Sequence, residues 1–200
     1  WVGIKVEIDG ENFDLEHCEV ADFRRELNMR EGYLSRSFKA KLKSGKELSI
    51  SAVRFCSIVN DDLGAIRYSV TPLNFSGNIK FTPYLDGDIK NQDANYDEKF
   101  WEEITKEATT GEAYVALKTK KTGFEVCTGM DFHLTQNGNV MTGEVKPVTR
   151  EKFVANEVTV AVKQGEETAL YKYAANVSSL NHSSADLLNA CKKVLKIAID

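Results

Sequence analysis

Apolar and polar residues alternate through most of the chain, and this alternation is its most regular feature. In residues 2–8 every second side chain is apolar, and the run ends at an Asp-Gly dipeptide, which is typical of tight hairpins. Residues 17–29 and 33–43 repeat the alternation on the two sides of Gly32. Because successive side chains of a strand point to opposite faces, the pattern predicts a long antiparallel hairpin with one apolar face.

The same pattern continues towards the C-terminus and predicts a protein made almost entirely of strands. Further strands are expected at residues 47–59, 66–72, 79–85, 101–109, 112–119, 124–135, 139–146, 152–163 and 167–178. Pro72 and Pro83 favour edge or terminal strand positions, because proline has no N–H to donate to a neighbouring strand. Asn137-Gly138 is the strongest hairpin signal in the chain. Turn signals at intervals of about 8–15 residues predict an antiparallel sandwich or barrel.

The last twenty residues change to a helical pattern. Residues 183–186 (SSAD) predict a helix start with serine capping and an acid in the first turn. The apolar positions that then share one helical face are Leu187, Leu188, Cys191, Val194, Leu195 and Ala198. We therefore predict a β-sandwich over residues 1–180 and a helical segment over residues 181–200.

Composition and charge narrow the classes of function. The net charge is −4 with a pI near 5.5, which argues against a general affinity for nucleic acid or an anionic membrane. The four cysteines are widely spaced without metal-binding pairs, so we expect reduced, mostly buried thiols in a cytoplasmic protein. Trp1 already belongs to a strand-like run, which favours a piece of a longer polypeptide.

Residues 86–98 interrupt the alternation with an acidic, amide-rich stretch that predicts a long loop. Loops of this length in compact domains are often functional. Paired carboxylates in this stretch could carry out glycoside hydrolysis. Calcium binding is a separate hypothesis, but the ligand spacing of an EF-hand loop is absent. A plain solvated loop remains an alternative. The acidic residues concerned are Asp86, Asp88, Asp93, Asp97 and Glu98.

Three arginines, Arg25, Arg36 and Arg54, fall on otherwise apolar strand faces. Guanidinium groups could bind phosphate or an acidic sugar in a bidentate manner. A buried charge must have a partner, so ion pairing or backbone hydrogen bonding inside the sandwich is the favoured interpretation.

Several ordered motifs resemble one known family. Residues 27–38 (LNMREGYLSRSF), residues 66–74 (IRYSVTPLN) and, most specifically, residues 91–101 (NQDANYDEKFW) are similar to the N-terminal domain of glycoside hydrolase family 65. This family contains maltose, trehalose and kojibiose phosphorylases. Asn28 departs from the pattern, because the family usually has an acid there.

The resemblance implies an all-β fold, an antiparallel super-sandwich of two large sheets with a C-terminal helix. It also implies that catalysis belongs to an (α/α)6 barrel that follows this domain, so no catalytic or metal-binding residue is expected here. In the parent enzyme, a glutamate of the barrel would protonate the leaving oxygen while inorganic phosphate attacks with inversion. Phosphate would thus be a substrate, and no cofactor is implied.

The expected role of this domain is to support the barrel and shape its entrance, and the domain alone should be inactive. The residues expected at the barrel interface are Asn91, Asp93, Asn95, Tyr96, Glu98 and Trp101. The expected partner is the domain's own catalytic barrel, and the parent would bind a disaccharide such as maltose together with phosphate. Formation of a homodimer is left as an open alternative. The alternatives are a carbohydrate-binding module, the same domain of a family 65 hydrolase, and a structural domain with a large apolar patch.

Overall fold

The computed structural model describes residues 2–90 and 98–198, which form fourteen strands and one α-helix. In chain order the elements are β1 (Val2–Ile8), β2 (Glu11–Asn12), β3 (Glu19–Asn28), β4 (Tyr33–Lys41), β5 (Glu47–Cys56), β6 (Leu63–Pro72), β7 (Gly77–Asp86), β8 (Trp101–Ala108), β9 (Ala113–Thr119), β10 (Glu125–Gln136), β11 (Asn139–Met141), β12 (Val145–Arg150), β13 (Phe153–Val162), β14 (Thr168–Ser178) and α1 (Leu187–Ile197).

The strands form two antiparallel sheets that pack face to face. The large sheet has nine strands in the order β3-β4-β5-β6-β14-β10-β9-β8, with β11 beside β10. The small sheet has five strands in the order β12-β13-β7-β1-β2. The predicted antiparallel super-sandwich with a C-terminal helix is therefore confirmed.

The main core lies between the inner faces of the two sheets. Phe38, Ile50 and Leu170 of the large sheet pack in one cluster with Ile8 and Phe81 of the small sheet, and all five are at most 2% exposed. These side chains occupy alternate positions in their strands, as the hydrophobic pattern predicts. Burial of this apolar surface is the main favourable contribution to stability.

One charged side chain also lies in this interior. Lys172 on β14 is 1% exposed, and its ammonium group donates hydrogen bonds to the carbonyl oxygens of Gly3, at 2.9 Å, and Tyr84, at 2.6 Å. The lysine belongs to the large sheet and its two acceptors to the small sheet, so this residue ties the sheets together. Burial disfavours the charged form and lowers the pKa of Lys172 to about 7.

Helix α1 packs on the outer face of the large sheet. Leu187, Ala190, Cys191 and Leu195 are its buried residues, and they contact Tyr114, Ala116, Cys127, Ala175 and Val177. The predicted helix is confirmed, but serine capping is wrong, because the Ser183 side chain makes no capping hydrogen bond. A short 3₁₀ turn at Ser184–Asp186 precedes the helix.

Two details of the strand prediction need correction. Pro83 lies inside β7, a central strand, and it is tolerated because the pairing of β7 with β13 skips Thr82 and Pro83. The predicted strand at 139–146 divides into β11, in the large sheet, and the start of β12, in the small sheet. Alternation reports which residues share a face, but it does not report a change of sheet.

The turns and cysteines follow the predictions in part. Asn137 and Gly138 both have positive φ, at 49° and 81°, and they form the predicted hairpin turn. All four cysteines are free, but only Cys127 and Cys191 are buried, whereas Cys18 is half-buried and Cys56 is exposed. Among the residues that the structure describes, no helix is both long and apolar enough to cross a membrane.

Candidate functional site

An apolar cleft lies at one end of the large sheet, where the small sheet does not cover its inner face. The turn between β3 and β4, the loop between β5 and β6, and the first residues of β8 and β10 meet at this end. The cleft has a volume of about 800 Å³. Its apolar lining residues are Val2, Leu27, Leu34, Phe55, Cys56, Leu63, Ala65, Ile66, Trp101, Phe124, Val126 and Ala174.

Large apolar side chains are exposed along this end of the sheet. Leu27 is 65% exposed in the cleft, and Met29, in the adjacent turn, is 86% exposed. Ile58 and Val59, in the loop between β5 and β6, are 95% and 99% exposed. Single exposed apolar residues are ordinary on a protein surface, whereas a larger exposed apolar patch is typical of an interaction surface.

Arg54 lines this cleft with Arg36 and Arg25 on the adjacent strands, and neither the predicted ion pairing nor the alternative backbone hydrogen bonding of the three is found among the described residues. Arg25 lies directly opposite Arg36 on the β3–β4 hairpin, and Arg54 is one of the residues that line the cleft. Within residues 2–90 and 98–198, no carboxylate forms an ion pair with any of the three. Arg25 and Arg54 are exposed, and the buried Nε of Arg36 has no hydrogen-bond partner.

The pKa of Arg36 is affected by burial and by the two neighbouring arginines. Burial lowers its pKa, and the positive charges of Arg54 and Arg25 lower the pKa further, while the nearby Tyr68 opposes the shift. The Arg36 guanidinium also lies 5.5 Å from the Phe38 ring centroid, and the Arg25 guanidinium lies 5.9 Å from that of Phe23. These contacts place Arg25 and Arg36 on the same face as the exposed Phe23 and the core residue Phe38.

The residues predicted for the barrel interface are only partly described. Asn91, Asp93, Asn95 and Tyr96 lie outside the described residues. Trp101 lines the apolar cleft and packs against the core. Glu98 forms an ion pair with Lys121 at 3.5 Å and borders a separate hollow of about 260 Å³. The interface role of this group stays a prediction, and of the two described members Trp101 lines the cleft whereas Glu98 does not.

The described carboxylates of the acidic stretch pair with lysines or main-chain groups. Asp88 lies between Lys99 and Lys152, and its hydrogen bond with Lys99, together with that to Lys152, lowers the pKa of this carboxyl below its ordinary value. The main chain of Asp88 donates a hydrogen bond to Asp86. Among the described residues, no group of three or more His, Cys, Asp or Glu side chains could hold a metal ion. Asp93 and Asp97 lie outside these residues.

Sequence reasoning missed the cleft itself. One signal is the apolar pair Ile58-Val59, which the predicted strand at residues 47–59 included, whereas the structure ends β5 at Cys56 and places both residues in the loop that follows. A second signal is Met29, at the tip of the hairpin turn, where polar residues are usual.

Comparison with known proteins gives a consistent assignment. The family model described as "Glycosyl hydrolase family 65, N-terminal domain" matches residues 1–199. The chain is 31% identical to maltose phosphorylase of Bacillus subtilis (strain 168) over 205 residues, which covers 100% of this chain and 26% of that protein. It is 27% identical to α,α-trehalose phosphorylase of Thermoanaerobacter brockii, over 88% of this chain and 23% of that protein.

A solved structure from the human microbiome, described as a kojibiose phosphorylase, has a TM-score of 0.83 at 18% identity and covers 98% of this chain and 24% of that one. At this identity the match supports the fold alone. The chain spans about a quarter of the length of these relatives. Because the family model matches almost the whole chain, the chain belongs to glycosyl hydrolase family 65, and it corresponds to the N-terminal domain of that family.

Proposed function

We propose that this chain is the non-catalytic N-terminal domain of a cytoplasmic disaccharide phosphorylase, and that its apolar cleft is the surface that supports the catalytic part. The parent enzyme would cleave an α-glucosidic disaccharide such as maltose with inorganic phosphate. The observation that carries the proposal is the open apolar end of the large sheet, where Leu27, Phe55 and Ile58 face solvent beside the cleft.

The occupant that we propose for this surface is the remainder of the parent polypeptide. About three quarters of the length of the relatives lies outside the region that matches this chain. Burial of one large apolar side chain contributes about 1.5–3 kcal/mol, so a surface with several of them can hold a second domain firmly. Trp101 at the edge of the cleft would contact the same partner, in agreement with its predicted interface role.

The activity is tested with the full-length polypeptide that contains this domain. With maltose, trehalose or kojibiose and inorganic phosphate, we expect release of glucose 1-phosphate from at least one disaccharide. We expect the 200-residue chain alone to release none. If free glucose forms equally well without phosphate, the parent enzyme is a hydrolase and not a phosphorylase. Activity of the 200-residue chain alone would contradict a non-catalytic role.

The supporting role is tested by one substitution and a matched control. Phe55→Asn places an amide in the cleft, where we expect it to lower the melting temperature and the activity of the full-length polypeptide. Val140, on β11 at the opposite end of the sheet, is also highly exposed, and Val140→Asn should change neither. Equal effects of the two substitutions would contradict docking at the cleft.

A carbohydrate-binding role predicts a different result. Calorimetric titration of maltose into a full-length Trp101→Ala variant and its parent would then show weaker binding in the variant. Under the proposed supporting role, this substitution changes stability and leaves the number of bound sugars unchanged.

A further inference from the structure

The arginines beside the cleft form a cationic group that the proposed function does not use. Arg25 and Arg36 are a directly opposed cross-strand pair, and Arg54 lies on the next strand, two residues beyond the partner of Arg36. Like charges directly opposite one another destabilise a sheet. An acceptor group placed among the three arginines would offset this repulsion and would satisfy the buried Nε of Arg36.

No ion pair within the described part of this chain compensates these charges, although Asp61 and Asp62 also line the cleft. Arg24 and Arg30 each pair with a glutamate on the outer face or in the turn, but Arg25, Arg36 and Arg54 have no such partner within residues 2–90 and 98–198. The Nε of Arg36 is buried without an acceptor, although a buried donor normally has one. Arg25 and Arg54 are exposed, and Arg54 forms part of the lining of the cleft.

We infer that Arg25, Arg36 and Arg54 receive a carboxylate side chain from the part of the parent polypeptide that packs on the cleft. This inference rests on the proposed function, because it assigns a specific polar contact to the same docking surface. Guanidinium groups bind carboxylates through two parallel hydrogen bonds, which adds orientation to the non-directional apolar contact.

The surroundings favour a protein carboxylate over a free small anion. The arginines stand beside Leu27, Leu34 and Phe55, and arginine together with aromatic and large apolar residues is the typical composition of the centre of a protein interface. A carboxylate that arrives on a packed segment is shielded from water, so its interaction with the guanidinium groups is stronger than at an open surface.

Chemical labelling separates the two sources of the anion. We would treat the full-length polypeptide with phenylglyoxal, in phosphate-free buffer and with phosphate, and quantify each labelled arginine by mass spectrometry. Arg30, which is exposed in the turn and paired only with Glu31, is the matched control. We expect Arg25 and Arg54 to react at least about tenfold more slowly than Arg30 in both buffers. The inference would be overturned if Arg25 and Arg54 react as fast as Arg30 in phosphate-free buffer, or if they are protected only when phosphate is present.

Substitution tests the charge itself. In the full-length polypeptide, Arg54→Met removes the guanidinium and keeps a long apolar stem, and we expect a fall in melting temperature of about 4 °C or more. Arg54→Lys should recover part of this loss, and Arg30→Met should cause none. An unchanged melting temperature for Arg54→Met, with a clear fall for Phe55→Asn, would refute the carboxylate contact and leave docking intact. No fall for either substitution would refute both.

Discussion

Lys172 gives the sharpest test of how the two sheets are joined. Its ammonium group is almost fully buried and reaches two carbonyl oxygens of the opposite sheet. Burial lowers its pKa from the ordinary value of 10.5 to about 7, so the folded protein releases this proton more readily than the unfolded chain. Below pH 7 the buried charge lowers the free energy of unfolding by its full amount, and this loss of stability decreases as the pH rises towards 10.5. Stability should therefore rise with pH in this window.

The size of the effect follows from the two pKa values. Between pH 7 and pH 9 the unfolded chain holds the proton and the folded protein releases it, which increases the free energy of unfolding by about 2 kcal/mol. In Lys172→Met the side chain keeps a similar length but no longer titrates, so this increase should disappear.

Urea denaturation at pH 7, 8 and 9 measures this difference directly. The wild-type free energy of unfolding should rise relative to that of Lys172→Met by about 2 kcal/mol across the series. Lys163 on the surface supplies the control, because Lys163→Met should keep the wild-type dependence on pH. If Lys172→Met also keeps that dependence, the ammonium group is not buried between the sheets.

Three further predictions concern the fold. Leu170→Ala, in the main core, should lower the free energy of unfolding by about 2–5 kcal/mol in urea titration, and a loss below 1 kcal/mol would contradict the described packing. Gly129→Ala should lower the melting temperature and weaken packing of α1, since a Cβ there would lie 2.7 Å from the Tyr114 ring; an unchanged melting temperature would contradict this contact. The hydrogen bond from Lys46 lowers the pKa of Asp9, so this pair stabilises the protein at neutral pH, and the stability is lost as the pH falls through the lowered pKa. Asp9→Asn should therefore show a smaller acid-induced fall in melting temperature than wild type, and parallel curves would contradict the contribution of the pair.

The fold was largely predictable because its main signals are local. Alternation in β3 to β5 and the turn residues at Asn137-Gly138 are properties of short segments, and the structure forms the predicted strands and the predicted turn there. The break between β11 and β12 was not predictable in this way, since the chain changes sheet without a change in its alternation.

The candidate site was less predictable because burial depends on distant parts of the chain. Phe38 and Leu27 share one face of the same hairpin, yet Phe38 is 2% exposed and Leu27 is 65% exposed. Phe38 stacks with Phe13, which follows β2 of the small sheet, whereas Leu27 extends beyond the region that the small sheet covers. The same difference explains why Arg54 is exposed instead of forming an internal ion pair.

Hydrogen–deuterium exchange tests the central claim, that the open end of the large sheet docks the remainder of a phosphorylase. Exchange is compared between the 200-residue chain and the full-length polypeptide. We predict slower exchange in the full-length polypeptide at residues 27–34 and 55–66, and unchanged exchange at the distant turn of residues 163–166. Equal exchange at residues 27–34 and 55–66 in the two proteins would contradict the claim.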